Sequence, residues 1–332
     1  MKFGVIGFGY WGPNVVRNLM NLEGVEVLAI ADSNAAARRR AHKGYPGVTI
    51  TSSAADVIDS VEIDAVAIVT PVWTHYDLTK QALEQGKHVF VEKPFTSNSA
   101  QAEKLINLAQ QKNLTIMVDH TFLCTPSVVK ISELIKEGTL GKLYYYDSTR
   151  VNLGLFQHDI NVLWDLAPHD LSIMDHLIEA TPEAIVATGQ GHLNGHEDIA
   201  FMTIYFPDQV IAHINVNWLS PVKIRTTLIS GEKRMLVWND LEPDEKVKVY
   251  DKGVKINNRE GVYDLLVNYR SGDMWAPHLD QAEALHQELS YFVDCVSSGR
   301  QPFNDGSAGL RVVKMLEAAS ESLSKRGSLV YL

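Results

Sequence analysis

The sequence predicts an α/β fold in two parts, on three observations. Residues 1–121 alternate apolar, strand-like runs with helical patterns. A glycine-rich turn joins the first strand to the first helix. Beyond residue 121 the rhythm changes to hairpin-linked strands framed by helices. Repeated strand–helix units dictate a parallel, doubly wound sheet, since each crossover returns the chain to the end at which the previous strand began. The second part, 122–332, is expected to hold an antiparallel sheet, with the last helix free to pack back on the first part. At 332 residues the chain has the length of two domains, at roughly 150 residues each.

The first strand is expected at 2–6, followed by a helix over 13–22 with Val16, Leu19 and Met20 at helical spacing. A strand at 25–31, a helix at 34–42 and a weaker strand at 48–51 come next. Ser53 is placed to cap a short helix ending at Ile58. The fourth strand, 64–70, is stopped by Pro71, and a helix over 74–84 ends at Gly86. A fifth strand at 88–91 stops at Pro94, then a helix over 97–111 leads to a sixth strand at 114–118. Continuous Val, Ile and Ala runs suit strands covered on both faces. In the second part, helices are expected at 128–137 and 164–179, with a strand at 142–150 between them. Strands then follow one another from 183 to 269. Alternation in Thr203-Ile204-Tyr205-Phe206 marks a sheet with one face buried. Helices at 279–297 and 308–325 and a strand at 329–332 close the chain.

Thirty basic against 40 acidic residues give a formal charge of −10. This argues against a nucleic-acid or anionic-membrane partner, because phosphate binding needs clustered Lys and Arg. The densest basic run, Arg38-Arg39-Arg40, lies on a predicted helix, where three adjacent residues cannot share one face, so it reads as solvated surface. No apolar run approaches the roughly 18 residues that span a bilayer. Residues 1–7 read as a buried strand, without the features of a signal peptide. Cys124 and Cys295 fit neither a zinc spacing nor a disulfide framework, which points to the cytoplasm and to no metal.

Gly7-Phe8-Gly9-Tyr10-Trp11-Gly12 fits G-x-G-x-x-G. It follows a strand, opens a helix, and has Asp32 at the end of the next strand, 20 residues beyond Gly12. That context is what the dinucleotide fingerprint requires. Gly7 permits the tight turn, Gly9 lets the backbone approach a pyrophosphate, and Gly12 allows close helix packing. The helix N-terminus offers N–H donors to the phosphates. A carboxylate at Asp32 accepts from ribose hydroxyls and repels a 2′-phosphate, so NAD is favoured over NADP. Arg38–Arg40 lie a helical turn or more downstream.

Glu92-Lys93-Pro94 ends the fifth strand, where carboxyl ends line the ligand crevice of an open parallel sheet. A lone lysine there is by default a solvated charge; beside a reacting hydroxyl it stabilises alkoxide charge. Thr70-Pro71, with His75 just beyond, lies on the same rim and is expected at the cofactor together with Glu92 and Lys93. In Trp164-Asp165-Leu166-Ala167-Pro168-His169-Asp170, a proline is tolerated only in a first helical turn, so the helix is expected to begin near Asp165. Asp165 and His169 are then i and i+4 on one face. The imidazole can take a proton near neutral pH and the carboxylate can orient it. The plainer alternative makes Asp165 an N-cap and His169 a half-buried surface residue.

Together these motifs resemble the Gfo/Idh/MocA family, the glucose-fructose oxidoreductase and inositol dehydrogenase group. The likeness rests on Gly7–Gly12, Thr70-Pro71 with His75, Glu92-Lys93-Pro94, and Asp165 with His169. It continues through 283–292, Gly299, Pro302, Asp305-Gly306 and 312–319, so it spans nearly the whole chain. It implies an N-terminal Rossmann domain and a C-terminal α/β domain whose large, open, mostly antiparallel sheet forms a homodimer or homotetramer interface. It implies hydride transfer between nicotinamide and a ring carbon of a sugar or cyclitol. By the same likeness Lys93 is the catalytic lysine, His169 the general acid/base, and Asp165 a ligand or guide for substrate hydroxyls. The sequence around Gly7–Gly12 and Trp164–His169 is similar to members acting at C3 of nucleotide-linked hexoses such as UDP-N-acetylglucosamine. One departure is Asp119-His120-Thr121-Phe122, where several members carry an Asn and an Arg before the aromatic. Arg150, Asn152, Asp159, Asn161 and Trp164, on the approach to the catalytic helix, are expected to meet the substrate.

The expected function is an NAD-dependent dehydrogenase of a nucleotide sugar. A myo-inositol or free-sugar dehydrogenase, and a catalytically silent NAD-binding regulator, stay open at this point.

Overall fold

The computed structural model describes residues 1–154, 160–193, 195–257 and 266–332. The chain falls into two compact units, Met1–Thr125 with Ala282–Glu317 and Pro126–Gln281 with Ala318–Leu332.

The first unit holds strands β1 (Lys2–Ile6), β2 (Glu26–Ala31), β3 (Thr49–Thr51), β4 (Ala65–Ile68), β5 (His88–Glu92) and β6 (Ile116–Asp119). Among the described residues they form one sheet in the order β3-β2-β1-β4-β5-β6, parallel throughout. Helices α1 (Gly12–Met20), α2 (Ala35–Gly44), α3 (Ala54–Ile58), α4 (Val72–Glu84) and α5 (Ser99–Lys112) make the crossovers. Phe3, Val5, Ala65–Ile68 and residues 89–91 are fully buried, because helices cover both faces. β1 lies between β2 and β4, so the strand order reverses there; in open parallel sheets ligands bind at the carboxyl ends of the strands at such a point.

The helix starts follow local chemistry. Pro13 sits in the first turn of α1, where its missing N–H costs nothing. The Asn34 side chain caps α2 by accepting from the Ala36 and Ala37 amides. Ser53 occupies the cap position of α3 but makes no side-chain cap bond. Its own amide instead donates to Thr51 Oγ1 at 3.2 Å.

The second unit contains α6 (Pro126–Lys136), β7 (Leu143–Leu153) and α7 (Val162–Leu177). It continues through β8 (Ala184–Gln190), β9 (Ile199–Tyr205), β10 (Ile211–Asn217), β11 (Leu219–Gly231), β12 (Met235–Asn239), β13 (Val247–Asn257) and β14 (Leu266–Trp275). Two helices, α8 (Ala284–Ser298) and α9 (Gly306–Ser324), and β15 (Val330–Tyr331) complete the chain. Among the described residues the second sheet has the order β14-β13-β12-β11-β7-β10-β9-β8-β15, and β7 with β10 is its one parallel pair. In β9 and β10, Ala200, Met202, Ile204, Ala212, Ile214 and Val216 are buried. Phe201, Tyr205 and Ile211 face the other way, 42%, 41% and 39% exposed. α7 packs on β7, β9 and β10.

α7 begins earlier than the proline rule predicts. Asn161 is its cap, accepting from the Trp164 amide at 3.0 Å, and Pro168 lies inside the helix. The proline forfeits one main-chain bond, to the carbonyl of Trp164. The cap and a largely buried helix outweigh that loss.

α8 belongs to the first unit. Its Leu285, Leu289 and Phe292 join Phe3, Val15, Phe90 and Met117 in one apolar cluster. The Phe292 ring lies 5.9 Å from each of Phe3 and Phe90. Phe292→Ala is expected to destabilise the protein by about 3–5 kcal/mol, as measured by equilibrium denaturation. A loss under about 1 kcal/mol would mean that the core closes without this ring.

Candidate functional site

The glycine turn leaves β1 at the point where strand order reverses. Gly7 has φ +101°, and a β-carbon on it would lie 2.1 Å from the Val69 carbonyl oxygen. A β-carbon on Gly12 would lie 2.3 Å from the Gly7 carbonyl oxygen. These two glycines are therefore demanded by the protein's own packing. Gly9 differs, because nothing lies within 4 Å of a β-carbon built there. Open backbone at a helix N-terminus fits the pyrophosphate of a dinucleotide. Phe8 is buried and meets Tyr45 edge-on, whereas Tyr10 is exposed. Trp11 donates from Nε1 to Asp119 Oδ2 at 2.8 Å, tying the turn to the end of β6.

Asp32 follows β2 directly. Its Oδ2 accepts from the Phe8 amide at 2.6 Å and its Oδ1 from the Asn34 amide at 2.7 Å. A carboxylate has about four acceptor positions, so room remains for ribose hydroxyls. The basic run is not plain solvated surface. Arg38 Nη1 donates to the Asp32 and Ser33 carbonyls at 2.7 and 2.8 Å, and Arg40 Nη2 donates to the Phe8 carbonyl at 3.0 Å. Their long side chains span the helical turn that separates them in sequence from Asp32.

At the end of β4, Thr70 Oγ1 and Thr74 Oγ1 are hydrogen-bonded at 2.6 Å, and Thr74 Oγ1 donates to the Pro71 carbonyl. His75 is fully buried. Its Nδ1 lies 2.9 Å from the Pro94 carbonyl oxygen and its Nε2 2.7 Å from that of Thr70. Burial lowers its pKa. His75 therefore braces the ends of β4 and β5, and the expected cofactor contact gives way to this internal role.

Glu92 and Asp119 are paired across β5 and β6. Glu92 Oε2 accepts from the Lys93 amide at 2.7 Å. Burial, then the charge of Asp119, hold the Glu92 carboxyl well above its ordinary range. Asp119 accepts from Trp11 and also from Thr121 Oγ1. Glu288 of α8, fully buried, accepts from Asn304 Nδ2 at 2.8 Å. Lys93 thus stands beside a buried carboxyl cluster.

Sequence reasoning noted His120 only as a departure. The ring is buried, and neither of its nitrogens has a hydrogen-bond partner among the described residues. Burial, then Lys93 and Arg311, push its pKa down to about 3, so it is neutral at physiological pH. A cavity of about 400 Å³ lies at the amino ends of β5 and β6, lined by His88, Ile116, Arg300 and Asp305. It contains none of the expected site residues.

In the second unit, α7 carries Asp165 and His169 one turn apart. The buried Trp218 donates from Nε1 to Asp165 Oδ2 at 3.3 Å, and Trp164 Nε1 donates to Ser320 Oγ at 2.9 Å. Arg150 was expected at the substrate. It is buried instead, donating from Nε to Asp170 Oδ2 at 2.6 Å and from Nη2 to Oδ1 at 3.2 Å. Ser148 Oγ completes that cluster at 2.7 Å from Asp170 Oδ1. The alternation of Tyr146, Ser148 and Arg150 along β7 was the available signal, since it turns all three inward. Asn161 is likewise engaged, capping α7 and donating to Glu197 Oε2 at 2.9 Å. Asn152 is partly exposed on β7, and Asp159 lies outside the described residues. Among the described residues no group of three or more His, Cys, Asp or Glu could hold a metal ion, and no helix is long and apolar enough to cross a membrane.

A doubly wound sheet with this glycine turn at its switch point defines a dinucleotide-binding protein. Residues 1–120 match an oxidoreductase family with an NAD-binding Rossmann fold, and residues 128–237 match the GFO/IDH/MocA C-terminal domain. The chain belongs to the Gfo/Idh/MocA oxidoreductase family. It is 26% identical over 323 residues to a UDP-N-acetylglucosamine 3-dehydrogenase of Acidithiobacillus ferrooxidans, covering 94% of each chain. It is 23% identical to a scyllo-inositol 2-dehydrogenase (NAD(+)) of Bacillus subtilis, covering 91% of this chain and 88% of that one. A solved structure of the Acidithiobacillus UDP-N-acetylglucosamine 3-dehydrogenase shares the fold, with a TM-score of 0.82, 24% identity and 98% of each chain covered.

The buried Glu288 yields a pH test. Burial, then Asp119, raise its carboxyl well above the ordinary 4.5. The folded chain keeps a proton there that the unfolded chain releases above that pH, so stability falls as pH rises through this range. Glu288→Gln keeps an oxygen for Asn304. It is expected to gain stability relative to the wild type as pH rises above 4.5, and to show no growing gain below it. Denaturant titrations at a series of pH values check this; a pH-independent difference would contradict it.

Proposed function

We propose that the chain is an NAD-dependent dehydrogenase acting on a sugar hydroxyl, with C3 of a nucleotide-linked hexose such as UDP-N-acetylglucosamine as the reacting position. The observation that carries this is that a glycine turn open at Gly9 and Lys93 both follow the carboxyl ends of strands of one parallel sheet, β1 and β5. The choice of a nucleotide sugar is supported by the likeness, over nearly the full length, to the Acidithiobacillus dehydrogenase.

Gly7–Gly12, Thr70, Pro71 and Glu92 would hold the dinucleotide and Asp32 would take its ribose hydroxyls; when bound, it would supply the hydride acceptor or donor. Lys93 Nζ donates a hydrogen bond to the substrate oxygen and stabilises its negative charge as the proton leaves. His169 receives that proton at a ring nitrogen and returns it in the reverse direction. Asp165, held by the Trp218 N–H, orients the substrate hydroxyl. Asn152 and Trp164 contribute further substrate contacts. The likeness to the Bacillus enzyme supports a cyclitol such as an inositol as the second substrate class.

Free cysteines at Cys124 and Cys295 support a reducing cytoplasm as the place of action. The outward Phe201, Tyr205 and Ile211 support assembly through the second sheet, as a homodimer or homotetramer.

Lys93→Ala is expected to lower turnover by about 10²–10⁴-fold while leaving NAD affinity within about threefold. Absorbance of reduced nicotinamide, followed with a panel of nucleotide sugars, free sugars and inositols, reads both substrate class and effect. Full activity in the variant would refute the role of Lys93. A flat panel with tight NAD binding would instead favour a silent NAD-binding regulator. For assembly, Phe201→Lys combined with Ile211→Lys is expected to yield monomers in sedimentation velocity. An unchanged oligomer would exclude this face.

A further inference from the structure

Two carboxyls stand side by side where β5 and β6 end. Glu92 and Asp119 are register partners in a parallel pair, so their side chains leave the sheet on the same face. Asp119 lies in the stretch 119–122 that sets this chain apart from several members of its family. It is buried, and it is well supplied with donors. Its Oδ2 accepts from Trp11 Nε1 at 2.8 Å, and its Oδ1 accepts from Thr121 Oγ1. Glu92 is partly buried, and its Oε2 accepts the Lys93 amide at 2.7 Å.

Two adjacent carboxyls resist ionising together, and hydrogen bonds to the charged form decide which of them does. An indole N–H and a hydroxyl meet Asp119, against one main-chain N–H at Glu92. The negative charge therefore belongs on Asp119. In keeping with this, the push of Asp119 on the Glu92 carboxyl outweighs the opposing pull of Lys93. The third carboxyl, Glu288 on α8, is raised by burial, then by Asp119. Burial also raises the Cys124 thiol and lowers the His75 and His120 imidazoles, all toward their uncharged forms. Arg311 on α9 is the further cation acting on His120. An ionised Glu92 beside Lys93 would draw the ammonium to itself.

We infer that Asp119 is a positioning residue: it takes the negative charge at this strand end and keeps the Glu92 carboxyl uncharged, so that Lys93 keeps its ammonium for the substrate oxygen. Through Trp11 the same carboxylate holds the glycine turn, so the cofactor seat and the lysine share one anchor. The inference rests on the role of Lys93 in the proposed function.

The test is the rate at which acetic anhydride acylates Lys93 in the cofactor-free protein, read by mass spectrometry against the exposed Lys104. Only an uncharged amine reacts, so negative charge brought nearer slows the reaction. Asp119→Asn keeps one acceptor oxygen and removes the charge. It is expected to slow acylation of Lys93 by about three- to tenfold, because Glu92 then ionises next to the ammonium. Glu92→Gln is expected to stay within about twofold of the wild type, and adding Asp119→Asn to it is expected to speed acylation instead. In turnover, Asp119→Asn is expected to lower kcat about tenfold in the native chain, but less than about threefold in the Glu92→Gln background. A merely structural role of Asp119 would show no such rescue. Acylation more than about twofold faster in Asp119→Asn or in Glu92→Gln would overturn the inference, since Glu92 would then be charged in the wild type. Glu92→Gln alone decides the matter where Asp119→Asn does not fold. The expected acylation pattern in a chain that turns over none of the sugars and binds no dinucleotide would overturn the proposed function, while the placement of charge on Asp119 would stand.

Discussion

Main chain rests on main chain where β1 and β4 part, and much of the first unit follows from that contact. Gly7 leaves no space for a side chain against Val69, and Gly12 leaves none against Gly7. The turn therefore folds in a tight arc before α1 begins. Only a chain bare of side chains at both places can hold this arc. With the arc in place, the Phe8 amide falls within reach of Asp32, its carbonyl within reach of Arg40, and the Trp11 indole within reach of Asp119. The turn is thus held from β2, α2 and β6 at once. A flexible loop would have to be ordered by its ligand, whereas this one is ordered beforehand.

Buried charge is handled differently in the two units. In the second unit Arg150 and Asp170 neutralise one another, and Ser148 fills one more acceptor position. A buried pair of this kind gives little net stability, but loss of either partner is costly. It fixes how α7 lies on β7, and α7 carries Asp165 and His169. In the first unit Glu92, Asp119 and Glu288 act on one another. Burial, then the neighbouring Asp119, push the Glu92 and Glu288 carboxyls well above their ordinary range. His120 stays neutral for the converse reason, since burial and two nearby cations oppose a further positive charge.

The parallel sheet was legible because its strands are continuous apolar runs with no competing period. Gly7–Gly12 and Asp32 were legible because the fingerprint depends on local spacing. What escaped depends on contacts distant in sequence. Arg150 looked available for substrate, since nothing near it in sequence announced Asp170. His75 looked like a rim residue, since its partners are main-chain carbonyls that no sequence pattern reveals. The start of α7 was misplaced because the proline rule ignores a strong cap further upstream, at Asn161. Arg38 and Arg40 were read from the spacing of their α-carbons, although each side chain is long enough to reach back across a turn.

The first unit is discontinuous in sequence, and that has a consequence for how the chain is made. Phe3 and Phe90 leave the ribosome before their ring partner Phe292, which follows some two hundred residues after Phe90. Domains tend to fold as units in order of synthesis. Here the N-terminal segment has to wait, its apolar surface uncovered by α8, until the whole intervening sheet has been translated. Only once α8 has been made can the Phe292 ring cover Phe3 and Phe90.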